Sequence, residues 1–216
     1  MNYETARRQM LSQQIRTWDV LDERVLDVLE HTPREIFVAE ADRDLAFADT
    51  EVPLPHDQCM MAPKVEARLL QELTIAPTDS ILEIGTGSGY LTACLGRLGA
   101  SVVSLEIFPD LSETAASRLS RIDQTNVDLR DEDATKARLD TGFDCIAVTC
   151  SVPHLSDRFV RLLKPGGRMF IVVGRAPVME ALLVTLHKDG SSTEKSLFET
   201  LLTPMINADE PEPFVL

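Results

Sequence analysis

The feature that most constrains the fold of this chain is a regular alternation of short apolar segments with amphipathic ones, which begins at Ser80. The apolar segments predict strands at 80–84, 102–106, 126–130, 143–149 and 168–173. The segments between them have helical periodicity near 89–98, 110–121 and 155–163. Because strands that alternate with helices form a mostly parallel sheet covered on both faces, we expect an α/β, Rossmann-like, doubly wound fold.

The segments before Ser80 predict an N-terminal helical elaboration. Helical spacing is found in three segments, which are Glu4–Ile15, the residues between Asp22 and Pro33, and Lys64–Leu73. Asp22 can cap the second of these helices, and Pro33 ends it. Between the last two lies 37–63, a proline-containing segment with little periodicity, which is typical of a functional loop.

The segments after the last predicted strand predict a closing antiparallel hairpin. Its strands are expected at 181–187 and 196–202, on either side of the turn-like Lys188–Ser191. The acidic end, Asp209–Pro213, is typical of a flexible tail.

Length and composition limit the class of protein. With 216 residues, 44% of them hydrophobic, we expect one domain over 1–216. In it, 1–75 would supply the helices and a substrate loop, and 76–216 the ligand-binding core. The net charge of −14 disfavours nucleic acid as a partner. No apolar run approaches the roughly 18 residues of a membrane span.

The N-terminus and the cysteines point to a cytoplasmic protein without a metal. The first residues lack the apolar run of a secretory signal peptide. The four cysteines have the spacing of neither a disulfide framework nor a zinc site, so free thiols are expected.

A glycine-rich turn, Gly85-Thr86-Gly87-Ser88-Gly89, joins the first predicted strand to a helix. Glycines let the backbone turn sharply and let a ligand approach closely. The spacing is one residue shorter than the Gly-x-Gly-x-x-Gly dinucleotide fingerprint, and no Gly-Lys-Ser/Thr of a phosphate-binding loop follows. The next strand ends at Glu106, about 20 residues after the first glycine, where an acid meets ribose hydroxyls in Rossmann-like folds. Both S-adenosylmethionine (SAM) and NAD fit an acid there.

Further segments complete an ordered set, namely Asp131–Ala134, Phe143–Thr149 and Leu163–Arg168. The set resembles the motifs of class I methyltransferases, which use SAM. An NAD-dependent oxidoreductase is the weaker alternative, because the third glycine is displaced and no Tyr-x-x-x-Lys pair is present.

The resemblance implies a role for each cofactor-site residue. Glu83 and the turn Gly85, Thr86, Gly87, Ser88 and Gly89 would hold the methionine moiety. Glu106, with Ile107 beside it, would hold the ribose, and Asp133 with Ala134 the adenine. Thr149 would lie beside the cofactor. Among the adjacent acids, alignment alone favours Asp133.

Within that superfamily, the first part of the chain resembles the protein-L-isoaspartate O-methyltransferases. The segments that carry this resemblance are Arg24–Leu26, Pro33–Val38, Leu54–Gln58 and Ala62–Pro63. The resemblance covers roughly residues 8–175 and implies carboxyl methylation of isoaspartyl residues in damaged proteins or peptides. Such a carboxylate, with a pKa near 4, is already anionic at neutral pH, so the enzyme mainly aligns it with the methyl group.

The chain departs from this family between Gln58 and Ala62, where the family has Thr-Ile-Ser and this chain has Cys59-Met60-Met61. The resemblance therefore places Cys59 and Met61 at the catalytic positions. His56, Gln58 and Met60 are candidate substrate-binding residues.

The departure matters because a serine hydroxyl donates a hydrogen bond, whereas a thioether cannot. Either Cys59, His56 or backbone N–H groups replace the serine and isoaspartyl activity persists, or the protein takes another protein or small-molecule acceptor. Two alternatives remain. Cys59, Met60 and Met61 could serve only to pack the loop, or the protein could be a non-catalytic SAM-binding module.

Overall fold

The N-terminal part of the chain is helical, as its periodicity predicts. The structure is a computed structural model that describes residues 2–139 and 142–209. The regular elements of this part are α1 (Tyr3–Met10), α2 (Glu23–His31), the strands β1 (Val52–Leu54) and β2 (Gln58–Met60), and α3 (Pro63–Leu73). A π-helical turn, Leu11–Ile15, continues α1, and short 3₁₀ helices lie at Arg16–Trp18, Arg34–Ile36 and Glu40–Leu45.

The ends of these helices follow from their sequence. The side chain of Asp22 accepts a hydrogen bond from the Arg24 N–H and caps α2, as the sequence predicts. Helix α2 stops before Pro33, which disfavours helical geometry in the residue that precedes it. Pro63 opens α3, where its missing N–H has no helical partner to lose.

The second part of the chain alternates strands with helices. Its strands are β3 (Ser80–Ile84), β4 (Ser101–Glu106), β5 (Val127–Asp131), β6 (Phe143–Val152), β7 (Leu163–Arg175), β8 (Val178–Leu186) and β9 (Ser192–Glu199). Its helices are α4 (Tyr90–Leu98), α5 (Pro109–Ser120) and α6 (Asp157–Val160).

These strands form one seven-stranded sheet in the order β5-β4-β3-β6-β7-β8-β9. Neighbouring strands from β5 to β7 pair in parallel, and β8 and β9 add an antiparallel hairpin at one edge. The predicted α/β, Rossmann-like fold with a C-terminal hairpin is therefore confirmed.

The central strands β3 and β6 are buried on both faces, which explains why they are nearly continuous apolar runs. Ile81 and Phe170 belong to a core cluster shared with the N-terminal helices, α3 and α4. Their neighbours Leu82 and Ile171 point the other way, into a second cluster that includes Phe159 of α6. The alternation follows from the two-residue period of a strand.

Several boundaries differ from the sequence-based predictions. The helix expected over 155–163 is shorter, since α6 covers only Asp157–Val160 and β7 already begins at Leu163. Both strands of the C-terminal hairpin begin earlier than expected. The segment 37–63, predicted to be irregular, contains the β1–β2 hairpin, whose turn residues His56 and Asp57 both have positive φ. Positive φ at successive turn residues matches the twist of the flanking strands of a hairpin.

Two further expectations concern the ends of the chain and the membrane. The predicted acidic tail, from Glu210 onward, lies outside the described residues. Among the residues that the structure describes, no helix is long and apolar enough to cross a membrane.

Candidate functional site

A deep cleft opens at the carboxyl ends of the central parallel strands, the edge at which open α/β sheets bind ligands. Its volume, including the open mouth, is about 890 Å³, within the range of small-molecule sites. We call the side formed by the glycine turn and the ends of β4, β5 and β6 the cofactor wall. We call the opposite side, formed by Gln58–Met61 and Leu202–Ile206, the acceptor wall.

The glycine turn sits against β6 without room for a side chain. Gly85 has a φ of +95°, and a Cβ atom built there would overlap the Thr149 hydroxyl. That hydroxyl donates to the carbonyls of Ile84, at 2.9 Å, and Gly85, at 2.8 Å. The pairing of β6 with β7 is irregular between Ala147 and Ser151, so Thr149 lies at a bulge beside the cleft.

Glu106, at the end of β4, ties the glycine turn to the next loop. One carboxylate oxygen accepts from the Gly87 N–H at 2.8 Å. The other accepts from the N–H groups of Ile107, at 3.0 Å, and Phe108, at 3.1 Å. The side chain is only 5% exposed and lines the cleft, so its lone pairs are held at a fixed position.

Asp133 lies further along the cofactor wall, next to Ala134. Its carboxylate accepts from the Thr135 N–H and hydroxyl, at 2.9 and 2.6 Å, and from the Asn207 amide at 3.0 Å. Burial acts to raise the pKa of Asp133, but hydrogen bonds from Thr135, Lys136 and Asn207 outweigh it and hold this pKa well below its usual range. Asp133 is therefore ionised at neutral pH.

Glu83 is placed differently from its predicted role. Its side chain is fully buried on the Ile81 face of β3, under α4, and does not line the cleft. One oxygen accepts from the hydroxyls of Thr92, at 2.5 Å, and Ser104, at 2.6 Å. Burial raises the pKa of Glu83 to about 8. The Ser104 hydroxyl also bonds that of Thr86, at 2.6 Å, so Glu83 supports the glycine turn from behind.

The acceptor wall begins with Gln58, Cys59, Met60 and Met61, all of which line the cleft. Their backbone is fixed from below by the buried Arg34. The Arg34 guanidinium donates to the carbonyls of Met61 and Ala46, both at 2.7 Å, and pairs with the buried Glu66.

The rest of the acceptor wall comes from the segment after β9, which the sequence did not mark as part of a site. Leu202, Thr203, Pro204, Met205 and Ile206 line the cleft. The Thr203 hydroxyl lies 3.3 Å from the Cys59 sulfur, which joins the two halves of the acceptor wall. No motif or periodicity marks this segment, so only its position in the fold identifies it.

Of the predicted site residues, most are brought together in the cleft. The cofactor-site residues that line it are Gly85, Thr86, Gly87, Ser88, Glu106, Ile107, Asp133, Ala134 and Thr149, and the acceptor-site residues are Gln58, Cys59, Met60 and Met61. Glu83 and Gly89 do not line it.

His56 does not line the cleft either, because its ring stacks on the outer side of the loop after β4. The His56 and Phe108 ring centroids are 4.1 Å apart with an interplanar angle of 5°. Its Nε2 atom lies 2.9 Å from both carboxylate oxygens of Asp110. His56 thus fastens the β1–β2 hairpin to the start of α5.

Two thiols face the cleft, and both are held in the protonated form. Burial raises the pKa of Cys59 above its ordinary value, and the nearby Glu51 acts in the same direction. Burial raises the pKa of Cys150 to about 12. Since the thiolate is the nucleophilic form, neither sulfur is a strong nucleophile at neutral pH.

Comparison with known proteins gives consistent matches over nearly the whole chain. The sequence model of the family described as protein-L-isoaspartate(D-aspartate) O-methyltransferase matches residues 5–210. A protein-L-isoaspartate O-methyltransferase of Koribacter versatilis is 35% identical over 201 residues, which cover 93% of this chain and 90% of the relative. Another, of Rhodopseudomonas palustris, is 32% identical over 209 residues, or 94% and 96% of the two chains.

The fold is also found among solved structures. A beta-aspartate methyltransferase of Plasmodium falciparum, in complex with S-adenosyl-L-homocysteine, superposes with a TM-score of 0.82. The match covers 95% of this chain and 99% of that chain. At 20% identity, this likeness concerns the fold alone.

Proposed function

This chain belongs to the protein-L-isoaspartate(D-aspartate) O-methyltransferase family, and on that premise we propose that it transfers the methyl group of SAM to the free carboxylate of an isoaspartyl residue in a damaged protein. The sequence-based prediction of this family is confirmed. The observation that carries the proposal for this chain is the single cleft in which the glycine turn and Glu106 face Gln58–Met61.

The cofactor wall fits SAM in the chemistry of its groups. Gly85 leaves room for a ligand to approach the backbone, and the side-chain oxygens of Glu106 and Asp133 offer lone pairs to hydroxyl and amino donors. We assign Glu106, with Ile107, to the ribose, Asp133 with Ala134 to the adenine, and the turn Gly85–Ser88 with Thr149 to the methionine moiety. SAM supplies an electrophilic methyl group on a sulfonium centre.

Glu83 and Gly89 take supporting roles in this assignment. Glu83 holds Ser104 and, through it, Thr86, so it positions the turn rather than touching the cofactor. Gly89 has a φ of +84°, and a Cβ there would lie 2.9 Å from the Cβ of Ala115, so it allows α4 to pack against α5.

The acceptor needs alignment more than activation. A carboxylate is anionic at neutral pH and has lone pairs ready to attack, so no general base is required. Cys59 and Cys150 face the same space, and their raised pKa values keep them from competing for the methyl group.

A second candidate acceptor is favoured by one observation. The thioethers of Met60, Met61 and Met205 line the acceptor side of the cleft, where they make a soft and adaptable apolar surface. A methyltransferase of this family with a more apolar protein or small-molecule acceptor would use the same cofactor wall.

The experiment that separates these candidates is transfer of labelled methyl from SAM to an isoaspartyl peptide and to its normal aspartyl counterpart. We expect labelling of the isoaspartyl peptide only. SAM binding without labelling of either peptide would contradict isoaspartyl methylation and favour the second acceptor class. Labelling of a cell extract from which proteins above a few kilodaltons have been removed would then test for a small acceptor.

A further inference from the structure

The hydroxyl groups that line the cleft differ in whether their protons are free for a ligand. On the cofactor wall, Thr149 donates to two carbonyls, and Thr86 pairs with the buried Ser104. Ser88, also on that wall, is 5% exposed, and its hydroxyl oxygen accepts from the Tyr90 N–H at 3.2 Å. On the acceptor wall, among the residues that the structure describes, the only hydroxyl that lines the cleft is that of Thr203, and its hydrogen-bond partner is the Cys59 thiol.

The backbone around Thr203 is fixed by the end of β6. The Ser151 N–H donates to the Thr203 carbonyl at 3.0 Å, and the Met205 N–H donates to the Ser151 carbonyl at 2.8 Å. The Ser151 hydroxyl also donates to the Leu202 carbonyl at 2.9 Å. The Thr203 side chain is therefore presented from a backbone held on both sides, so little freedom is lost when it binds a ligand.

We propose that Thr203 is the acceptor-binding residue of this enzyme, and that its hydroxyl donates a hydrogen bond to the acceptor carboxylate while Cys59 donates to the hydroxyl oxygen. The inference rests on the isoaspartyl methylation proposed above. It gives the acceptor wall the hydrogen-bond donor that the Met61 thioether cannot supply.

The direction of this relay follows from the strengths of its hydrogen bonds. A hydroxyl bond to a carboxylate is charge-assisted and stronger than one to a neutral thiol, so the Thr203 proton turns to the acceptor when the acceptor enters. A protonated thiol can then donate to the Thr203 oxygen, whereas a thiolate could only accept. Cys59 keeps its proton because it is half-buried and lies near Glu51.

The test compares Thr203→Val, which keeps the shape and removes the hydroxyl, with Thr203→Ser, which keeps the hydroxyl. Thr200→Val, three residues earlier and outside the cleft lining, is the matched control. Two quantities are measured for each full-length protein. They are the KM and kcat for an isoaspartyl peptide, and the Kd of the fluorescein-labelled peptide in the presence of S-adenosylhomocysteine. The Kd of SAM is measured in parallel.

In Thr203→Val, the KM and Kd of the peptide should rise about tenfold or more, the range expected for a hydrogen bond to a charged group. The Kd of SAM should stay within about twofold, because the cofactor wall is untouched. Thr203→Ser should restore most of the affinity, and Thr200→Val should behave as the wild type.

Two results would overturn the inference, and they are distinguishable. If the wild type methylates the isoaspartyl peptide and Thr203→Val does so with the same KM and Kd, Thr203 does not bind the acceptor although the proposed function stands. If the wild type binds SAM but neither binds nor methylates the peptide, the proposed function fails and the role of Thr203 fails with it.

Discussion

The two walls of the cleft are built in different ways. The cofactor wall is set by backbone geometry, since Gly85 occupies a positive φ against Thr149 and Glu106 accepts three backbone N–H groups. The acceptor wall is assembled from two segments far apart in the chain, which meet through the Cys59–Thr203 contact. From this contrast we predict that the acceptor can change by side-chain substitution alone, whereas the cofactor site tolerates little change.

The largest effect is expected at Gly85. In Gly85→Ala, the new Cβ would displace the Thr149 hydroxyl from its two carbonyl partners, in addition to the cost of a positive φ. We expect a loss of SAM affinity of about 100-fold or more, the combined effect of lost hydrogen bonds and steric overlap.

Gly190→Ala provides the matched control for this substitution. Gly190 has a similar φ, +86°, but no atom lies within 4 Å of a Cβ built there. Gly190→Ala should cost only about 1–2 kcal/mol of stability and leave SAM binding unchanged. Isothermal titration calorimetry with SAM measures both variants. Wild-type affinity in Gly85→Ala would show that the cofactor wall is not fixed by its backbone.

The difference between the two walls also explains why the sequence predicted the cofactor wall better than the acceptor wall. Gly85 and Glu106 could be found because a positive φ requires glycine and because the acid follows at a fixed distance along one βα unit. Thr203 could not be found from the sequence. It is a loop residue that reaches the cleft only because its segment packs against β6, and no local sequence pattern marks such a position. The proposed division into 1–75 for the substrate and 76–216 for the cofactor stays a prediction, and Thr203 would modify it.

Two individual residues show the limits of motif-based assignment. Glu83 belongs to the glycine motif, but the two-residue period of β3 turns its side chain under α4, away from the cleft. His56 belongs to the predicted substrate loop, but the turn residues of the hairpin project it onto Phe108. In both cases the side-chain direction depends on tertiary packing, which a motif does not encode.

The second prediction concerns the support behind the cofactor wall and its pH dependence. Burial raises the pKa of Glu83 to about 8, above the value of 4.5 for an unburied glutamate. The folded protein therefore holds a proton that the unfolded chain releases between these values. The contribution of Glu83 to stability is complete below pH 4.5 and is lost as the pH rises through 8.

Glu83→Gln removes this titration and mimics the protonated form. Between about pH 6 and about pH 9, the free energy of unfolding of the wild type should fall by on the order of 2 kcal/mol more than that of the variant. Urea denaturation at the two pH values measures the difference, in which all other titrating groups cancel. If the stabilities of the wild type and the variant changed with pH in parallel, Glu83 would be ionised throughout this range. Glu83 would then not support the glycine turn as a protonated carboxyl group.

The third prediction tests whether the acceptor wall changes independently of the cofactor wall. Met61→Ser adds a second hydroxyl to the acceptor wall and should lower the KM of the isoaspartyl peptide about threefold, more in a Thr203→Val background. Since Met61 is buried, the variant should also lose roughly 2–3 kcal/mol of stability. Met61→Leu keeps an apolar side chain without a hydroxyl and should leave the KM unchanged. A change in the Kd of SAM in Met61→Ser would mean that the two walls are coupled.

The smallest effect is expected outside the cleft, where the β1–β2 hairpin contacts the start of α5. His56 of the β1–β2 hairpin stacks on Phe108 and pairs with Asp110, but all these contacts are on the surface and partly exposed. Because exposed ion pairs contribute little and are screened by salt, His56→Ala should change the Kd of SAM and the KM of the peptide by less than about twofold. Asp110→Asn, which keeps the shape and removes the charge, should do the same at low and at high salt. If His56→Ala instead weakened SAM and peptide binding together, the hairpin would be a clamp across both walls, and acceptor and cofactor recognition could not vary separately.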